Sequence, residues 1–348
     1  MPQPRWLIGL QASILRKSME FGMFINALHS PRPPAPSFCR RIPVTISRRK
    51  GFIDLLFYTP KDYSMPHGVD TGRRYPVMVN FHSGGFTLGR ASDDAPWASI
   101  VVEVVHAVVV CVEYRLAPQF PFPTAVEDGA DALMYIMQRA EELKLDAERI
   151  CVSGFSSGGN MAFTVPLLLQ SENRRMRTDR ESSGESVAST APRTVQQVAL
   201  IVSWYPTTDY ATYTREERRK CNTQPGKEPP KFFTTLFDAA YIHPIYEVSL
   251  SNPYLSPSLA PDDMLRKLPD DVLIYTCEWD GLRAEAERFK AYLANELQKR
   301  VRYRMVPEVT HAWDKKPHLK GNGFEESVYR EACFEIKRIF DDGLARKS

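Results

Sequence analysis

A short apolar run, Ile150-Cys151-Val152-Ser153, leads into Gly154-Phe155-Ser156-Ser157-Gly158, and a helix-like segment from Met161 to Gln170 follows. Gly-x-Ser-x-Gly between a strand and a helix makes a sharp turn that lifts the central serine above a sheet edge. Gly154 and Gly158 suit such a turn, because side chains there would clash where strand and helix pack closely. Ser156 then sits at a helix N-terminus, where free backbone N–H groups favour negative charge. The chemistry this arrangement permits is nucleophilic attack. Ser/Gly-rich turns also produce the pattern by chance, so the base, the acid and the charge-stabilising donors must be sought along the rest of the chain.

A serine hydroxyl needs a base to take its proton, and the base needs a third group to orient it. Of the seven histidines, His82 precedes two glycines and suits the bracing of a loop, and His106 ends a helix-like run. His311 and His318 follow the last predicted strand, and His311 is the nearer to its C-terminal end, where ligands bind in open α/β sheets. Asp280 follows a late strand in Tyr275-Thr276-Cys277-Glu278-Trp279-Asp280, and Asp209 is its rival after the preceding one. An aspartate at a strand end also serves as a helix cap. Asp280 is preferred, and Ser156, Asp280, His311 then follow in the chain order of an α/β-hydrolase triad. The developing oxyanion needs donors, and His82-Ser83-Gly84-Gly85 offers a loop of exposed N–H groups, with the N–H of Ser157 as a second source.

The elements that must hold these residues are short apolar runs alternating with helical stretches. Residues 75–81, 107–113, 149–153, 198–204, 272–277 and 301–306 are predicted buried strands. Helices fit at 94–105, 124–143, 157–170, 283–299 and 324–341. That alternation predicts an α/β fold with a mostly parallel central sheet and helices on both faces. Ahead of it, 41–47 and 52–58 read as an antiparallel hairpin, and residues 1–29 as one or two amphipathic helices. Those helices either cover another part of the protein or lie on a membrane surface, and the first is preferred. Residues 171–194, polar and poor in anything to bury, are expected to form a flexible surface insertion. Residues 207–250 are aromatic and broken by prolines, and are expected to form an extra helix or a lid over the site.

At 348 residues a single large domain can bury its own core without disulfides or a structural metal. A net charge of +3 is too small to suggest nucleic acid, and the Arg-rich patches near 48–50, 174–180 and 215–220 read as solvated loops. Six cysteines without CxxC spacing favour reduced thiols and a cytoplasmic setting. No run is long enough to span a bilayer. No cofactor and no metal are expected.

Four blocks, in order, resemble the hormone-sensitive lipase-like branch of the α/β-hydrolases, the α/β-hydrolase-3 family, over roughly residues 75–315. They are His82-Ser83-Gly84-Gly85 (His-Gly-Gly-Gly in the family), Glu113-Tyr114-Arg115-Leu116-Ala117-Pro118, Gly154-Phe155-Ser156-Ser157-Gly158-Gly159-Asn160, and Asp280-Gly281-Leu282-Arg283-Ala284-Glu285. The resemblance implies Ser156 as nucleophile, His311 as base, Asp280 as its orienting acid, and Gly84, Gly85 and Ser157 as oxyanion donors. It also implies a helical cap, here from about 1–38 and 207–250, within a single domain. The combination is similar to fungal members, some of which belong to secondary-metabolite pathways.

Three departures bear on the site. Ser83 replaces a glycine and would be strained if φ there is positive. Phe155 replaces the acid beside the nucleophile, and Ala284 the second acid of the Asp280 block.

The expected activity is serine carboxylic-ester hydrolysis of short or medium acyl esters through an acyl-enzyme. An acyltransferase or lyase using the same triad is the alternative. A non-catalytic receptor, like the gibberellin receptors that resemble this family but lack the histidine, is less favoured. The partners expected are a small-molecule ester and, for assembly, a homodimer.

Overall fold

A computed structural model describes residues 3–29, 34–63, 72–182, 198–244, 246–315 and 323–345. It opens with α1 (Arg5–His29), followed by β1 (Phe38–Pro43), β2 (Phe52–Tyr58) and β3 (Tyr75–Phe81). Then come α2 (Ala95–Val105), β4 (Val108–Glu113), α3 (Thr124–Gln138), β5 (Leu145–Phe155), α4 (Ser157–Ser182) and β6 (Leu200–Trp204). Next are α5 (Arg215–Cys221), α6 (Lys231–Tyr241), α7 (Asp262–Leu265) and β7 (Asp271–Trp279). The chain closes with α8 (Arg283–Asn295), β8 (Arg300–Thr310) and α9 (Gly323–Ala345).

The eight strands form one sheet in the order β1-β2-β4-β3-β5-β6-β7-β8. β2 runs antiparallel to β1 and β4, and every pairing from β4 to β8 is parallel. The reason is legible in β3 and β4. Tyr-Pro-Val-Met-Val-Asn-Phe is buried at every position, and Val108 to Val112 likewise, because helices cover both faces. On one face α3, α4 and α8 pack Leu133, Phe163 and Phe289 against the sheet. On the other, α2 and α9 bring Trp97, Tyr329 and Ile336. The sheet therefore separates two cores, and its parallel strands present all their C-terminal ends at one edge.

Two sequence readings change. Residues 171–182, expected as part of a surface insertion, continue α4 as helix, and 183–194 lie outside the described residues. Two Arg-rich patches expected as loops are helical: 174–180 lies within α4, and 215–220 lies within α5. The N-terminal segment is one helix, with Ile8 and Ala12 buried and Trp6, Leu10, Ile14 and Phe21 exposed. Arg5 of this helix donates to the carbonyls of Ala239 and Ala240 at the end of α6 (3.3 and 3.1 Å) and to that of Pro118. Arg16 donates to the carbonyls of Thr87 (2.8 Å) and Ala117 (2.6 Å). The helix is thus tied both to α6 and to the loop that follows β3. Among the described residues no helix is long and apolar enough to cross a membrane.

Candidate active site

The turn between β5 and α4 holds Ser156 at φ 55°, a left-handed value that a non-glycine residue adopts only when its surroundings enforce it. Here the enforcement is backbone. Ser156 N–H donates to the Trp204 carbonyl (2.9 Å), and Asn160 N–H donates to the Ser156 carbonyl (2.9 Å). A Cβ on Gly154 would run into the Gly158 backbone, and one on Gly158 into the Phe81 carbonyl. Strand, turn and helix can therefore close only with glycine at both places. Asn160 then fixes the first turn of α4, its side-chain amide donating to the carbonyls of Thr207 and Leu255, both at 2.8 Å.

Ser156 Oγ lies 2.8 Å from His311 Nε2, and His311 Nδ1 lies 2.7 Å from Asp280 Oδ2. The three residues follow β5, β8 and β7, so the parallel sheet delivers them to one edge from distant parts of the chain. Burial draws the His311 imidazole down, but the charge and hydrogen bond of Asp280, with Asp314 and Glu285 behind, raise it on balance above its ordinary value. Asp209 is occupied elsewhere. Its side chain accepts from the N–H groups of Ala211 (3.0 Å) and Thr212 (2.7 Å) and from Arg288 (2.6 Å). It closes the turn at 209–212, and the cap of α5 is Thr214.

Positive φ in the loop after β3 falls on Gly84 (117°), Gly85 (59°) and Phe86 (58°), and Ser83 is outside that region. The strain that serine would have carried is therefore absent. Among the described residues, the N–H groups of Gly84 and Gly85 have no acceptor. His82 braces this loop from below. It is buried and stacked on Tyr114 at 4.1 Å, and Tyr114 donates its hydroxyl proton to the His82 carbonyl (2.8 Å).

A cavity of about 150 Å³ opens over Ser156 and His311, and Gly85, Ser157 and Asp280 contribute to its lining. Its roof is α5 and α6, with Phe237 resting on Gly85 so closely that a Cβ there would overlap the ring. α5 is anchored by Arg218, whose Nε donates to the fully buried carboxylate of Glu285 (2.8 Å) and whose Nη2 donates to the Asp209 carbonyl (2.7 Å). Glu285 also accepts the Thr208 N–H (2.7 Å). Glu285, and not the absent acid at position 284, is what joins the Asp280 block to the neighbouring loop.

One feature had no signal in the sequence. Phe155 is buried and stacks on Trp204 at 5.5 Å, and Lys315 places its ammonium 3.6 Å from the centre of the Phe155 ring. Lys315 Nζ bridges Asp94 (2.7 Å) and Asp314 (3.0 Å). Asp314 accepts the hydroxyl protons of Tyr205 and Tyr329, both at 2.5 Å, and the Tyr205 ring stands edge-on to His311 at 5.0 Å. Where the family places an acid beside its nucleophile, this chain has an aromatic ring with an ammonium over it.

This fold, with this cluster at the sheet edge, defines a class. A model of the alpha/beta hydrolase fold matches residues 78–315, and the chain belongs to that family, in its hormone-sensitive lipase-like branch. An arylesterase from Saccharolobus solfataricus is 28% identical over 213 residues, 61% of this chain and 60% of that protein. The versiconal hemiacetal acetate esterase of Emericella nidulans is 27% identical over 183 residues, 53% of this chain and 56% of that protein. The solved structure of an esterase from Pyrobaculum calidifontis superposes with a TM-score of 0.69 at 25% identity, covering 94% of this chain and 93% of that one. The chain's matches span 30, 56 and 60% of the length of three of its curated relatives.

Proposed function

We propose that the protein is a serine carboxylic-ester hydrolase that works through an acyl-enzyme. The observation that carries the reading is the continuous hydrogen-bonded relay from Ser156 Oγ through His311 to Asp280, open to a cavity. Ser156 attacks the ester carbonyl as His311 Nε2 takes its proton, and Asp280 holds the imidazole by Nδ1 and stabilises the imidazolium. The N–H groups of Ser157, Gly84 and Gly85 receive the oxyanion. His311 then protonates the leaving alkoxide, and on the return step it activates the water that releases the acid.

A cavity of about 150 Å³ favours a short or medium acyl group, since pockets for drug-sized ligands begin near ~300 Å³. Residues 1–38 and 207–250 act as the cap in this reading, which agrees with the ties between α1 and α6. The named substrate of the Emericella relative, an acetate ester, supports an ester of a secondary metabolite as the natural substrate. A receptor role is disfavoured by the intact contact between His311 and the serine.

The test is hydrolysis of p-nitrophenyl acetate and butyrate by wild type and Ser156→Ala, with fluorophosphonate labelling of both. Turnover and labelling in wild type, with both lost in the variant, is the expected result. Equal activity of the two proteins would overturn the assignment. Labelling without turnover of any simple ester would favour acyl transfer.

A further inference from the structure

Helix α5 puts three arginines on the cavity, Arg215, Arg218 and Arg219, at the i, i+3, i+4 spacing that shares one helix face. Two have structural tasks. Arg215 donates to Asp238 (2.7 Å) and Thr235 (2.6 Å) and so ties α5 to α6. Arg218 ties α5 to α8 and to the β6 loop through Glu285 and Asp209. Arg219 has neither: among the described residues no carboxylate lies within 4.0 Å of it, and it makes no side-chain hydrogen bond.

The other charges of the cavity are spoken for. Asp280 holds His311, Asp238 holds Arg215, and Glu228 accepts the Gly226 N–H at 2.9 Å. Phe237, Leu282 and Pro229 make the neighbouring wall apolar, and in such surroundings a charge pair is worth more than in water. A guanidinium presents a planar fork that matches a carboxylate with two parallel N–H donors.

We infer that Arg219 is an anion-binding subsite of the cavity and that the natural ester carries a carboxylate, placed on the cap side of the scissile bond. The inference rests on the ester-hydrolase reading of Ser156 and names the class of its substrate. Arg219 is then a specificity-determining residue, and its effect falls on charged esters alone. A guanidinium that merely stabilised the C-terminal turn of α5 would affect every substrate alike.

Two matched pairs of esters test this, because the carboxylate can sit on either side of the ester. Mono-p-nitrophenyl adipate is compared with p-nitrophenyl hexanoate, and 4-acetoxybenzoate with its neutral methyl ester. In wild type at low salt, kcat/KM favours the charged member of at least one pair. Arg219→Gln lowers that member about tenfold or more, the loss of one charge-assisted contact, and leaves its neutral partner within twofold. Arg219→Lys recovers part of the loss, and raising salt erodes the wild-type preference. Glu228→Gln, which removes a negative charge from the cavity lining, raises the charged ester's kcat/KM by relieving like-charge repulsion. If Arg219→Gln lowers charged and neutral esters equally in both pairs, the subsite is refuted while the hydrolase reading stands. If wild type hydrolyses none of the four, the hydrolase reading fails and this inference fails with it.

Discussion

Replacing Lys315 by methionine keeps the length of the side chain and removes its ammonium from between Asp94 and Asp314. Lys315 is 17% exposed and the two carboxylate side chains are 0 and 1% exposed, so water cannot take over the lost contacts. Breaking a buried ion pair by deleting one partner costs about 3–5 kcal/mol, because the surviving charge is stranded. The lost cation–π contact with Phe155 adds up to ~2 kcal/mol if fully desolvated. Asn80 still donates to Asp94 (2.7 Å), and Tyr205 and Tyr329 still donate to Asp314. These bonds soften the penalty, and the lower figure of ~3 kcal/mol is the one to expect. At about 2 °C per kcal/mol for a chain of this size, Tm falls by roughly 6 °C. Asp314, whose charge already raises the His311 imidazole, is then left without its ammonium, so the acid limb of kcat/KM moves to higher pH. Thermal unfolding and pH–rate profiles read the two effects separately. Lys315→Arg should restore much of both, and adding Asp314→Asn to Lys315→Met should recover stability by removing one stranded charge. A Tm within a degree of wild type, with an unmoved pH limb, would refute the claim that this network supports the site.

The acid limb itself gives a second prediction. The base must be neutral, and its folded pKa is raised, so kcat/KM should fall with decreasing pH through a value above the ordinary 6.5 of imidazole. Asp280→Asn should move that limb to lower pH and cut kcat by about 10⁴, whereas Asp209→Asn should leave the limb in place; the opposite pattern in a pH–rate series would reverse the assignment. Gly158→Ala should push the start of α4 off the Phe81 carbonyl, costing ~1–3 kcal/mol by overpacking. It should also slow fluorophosphonate labelling of Ser156, since small displacements of a nucleophile cost about 10²-fold. A variant that labelled at the wild-type rate would show that the turn has room to spare.

The parallel strands were legible because burial on both faces leaves unbroken apolar runs, as in Val108 to Val112, which a half-exposed strand or an amphipathic helix would interrupt with polar residues. The order Ser156, Asp280, His311 was legible for a related reason. Once each residue is assigned to the C-terminal end of a parallel strand, the sheet itself brings them together. Helix ends were harder. α4 carries on to Ser182 through Glu172, Arg174 and Arg175, residues whose polarity suggests a loop but whose helix propensity is good. Arginines are equally mute about their tasks, and nothing local to Arg215-Glu216-Glu217-Arg218-Arg219 distinguishes the guanidinium that anchors α5 from the one left facing the cavity. Lys315 is the extreme case. Besides its neighbour Asp314, its partners are Asp94, after β3, and the Phe155 ring, at the end of β5, so no window of sequence contains the network. By residue type alone, a phenylalanine in place of an acid makes the floor beside Ser156 more apolar. The structure gives that ring a charged neighbour instead, and the polarity the family places next to its serine is here displaced by one side-chain layer, onto Lys315, Asp94 and Asp314.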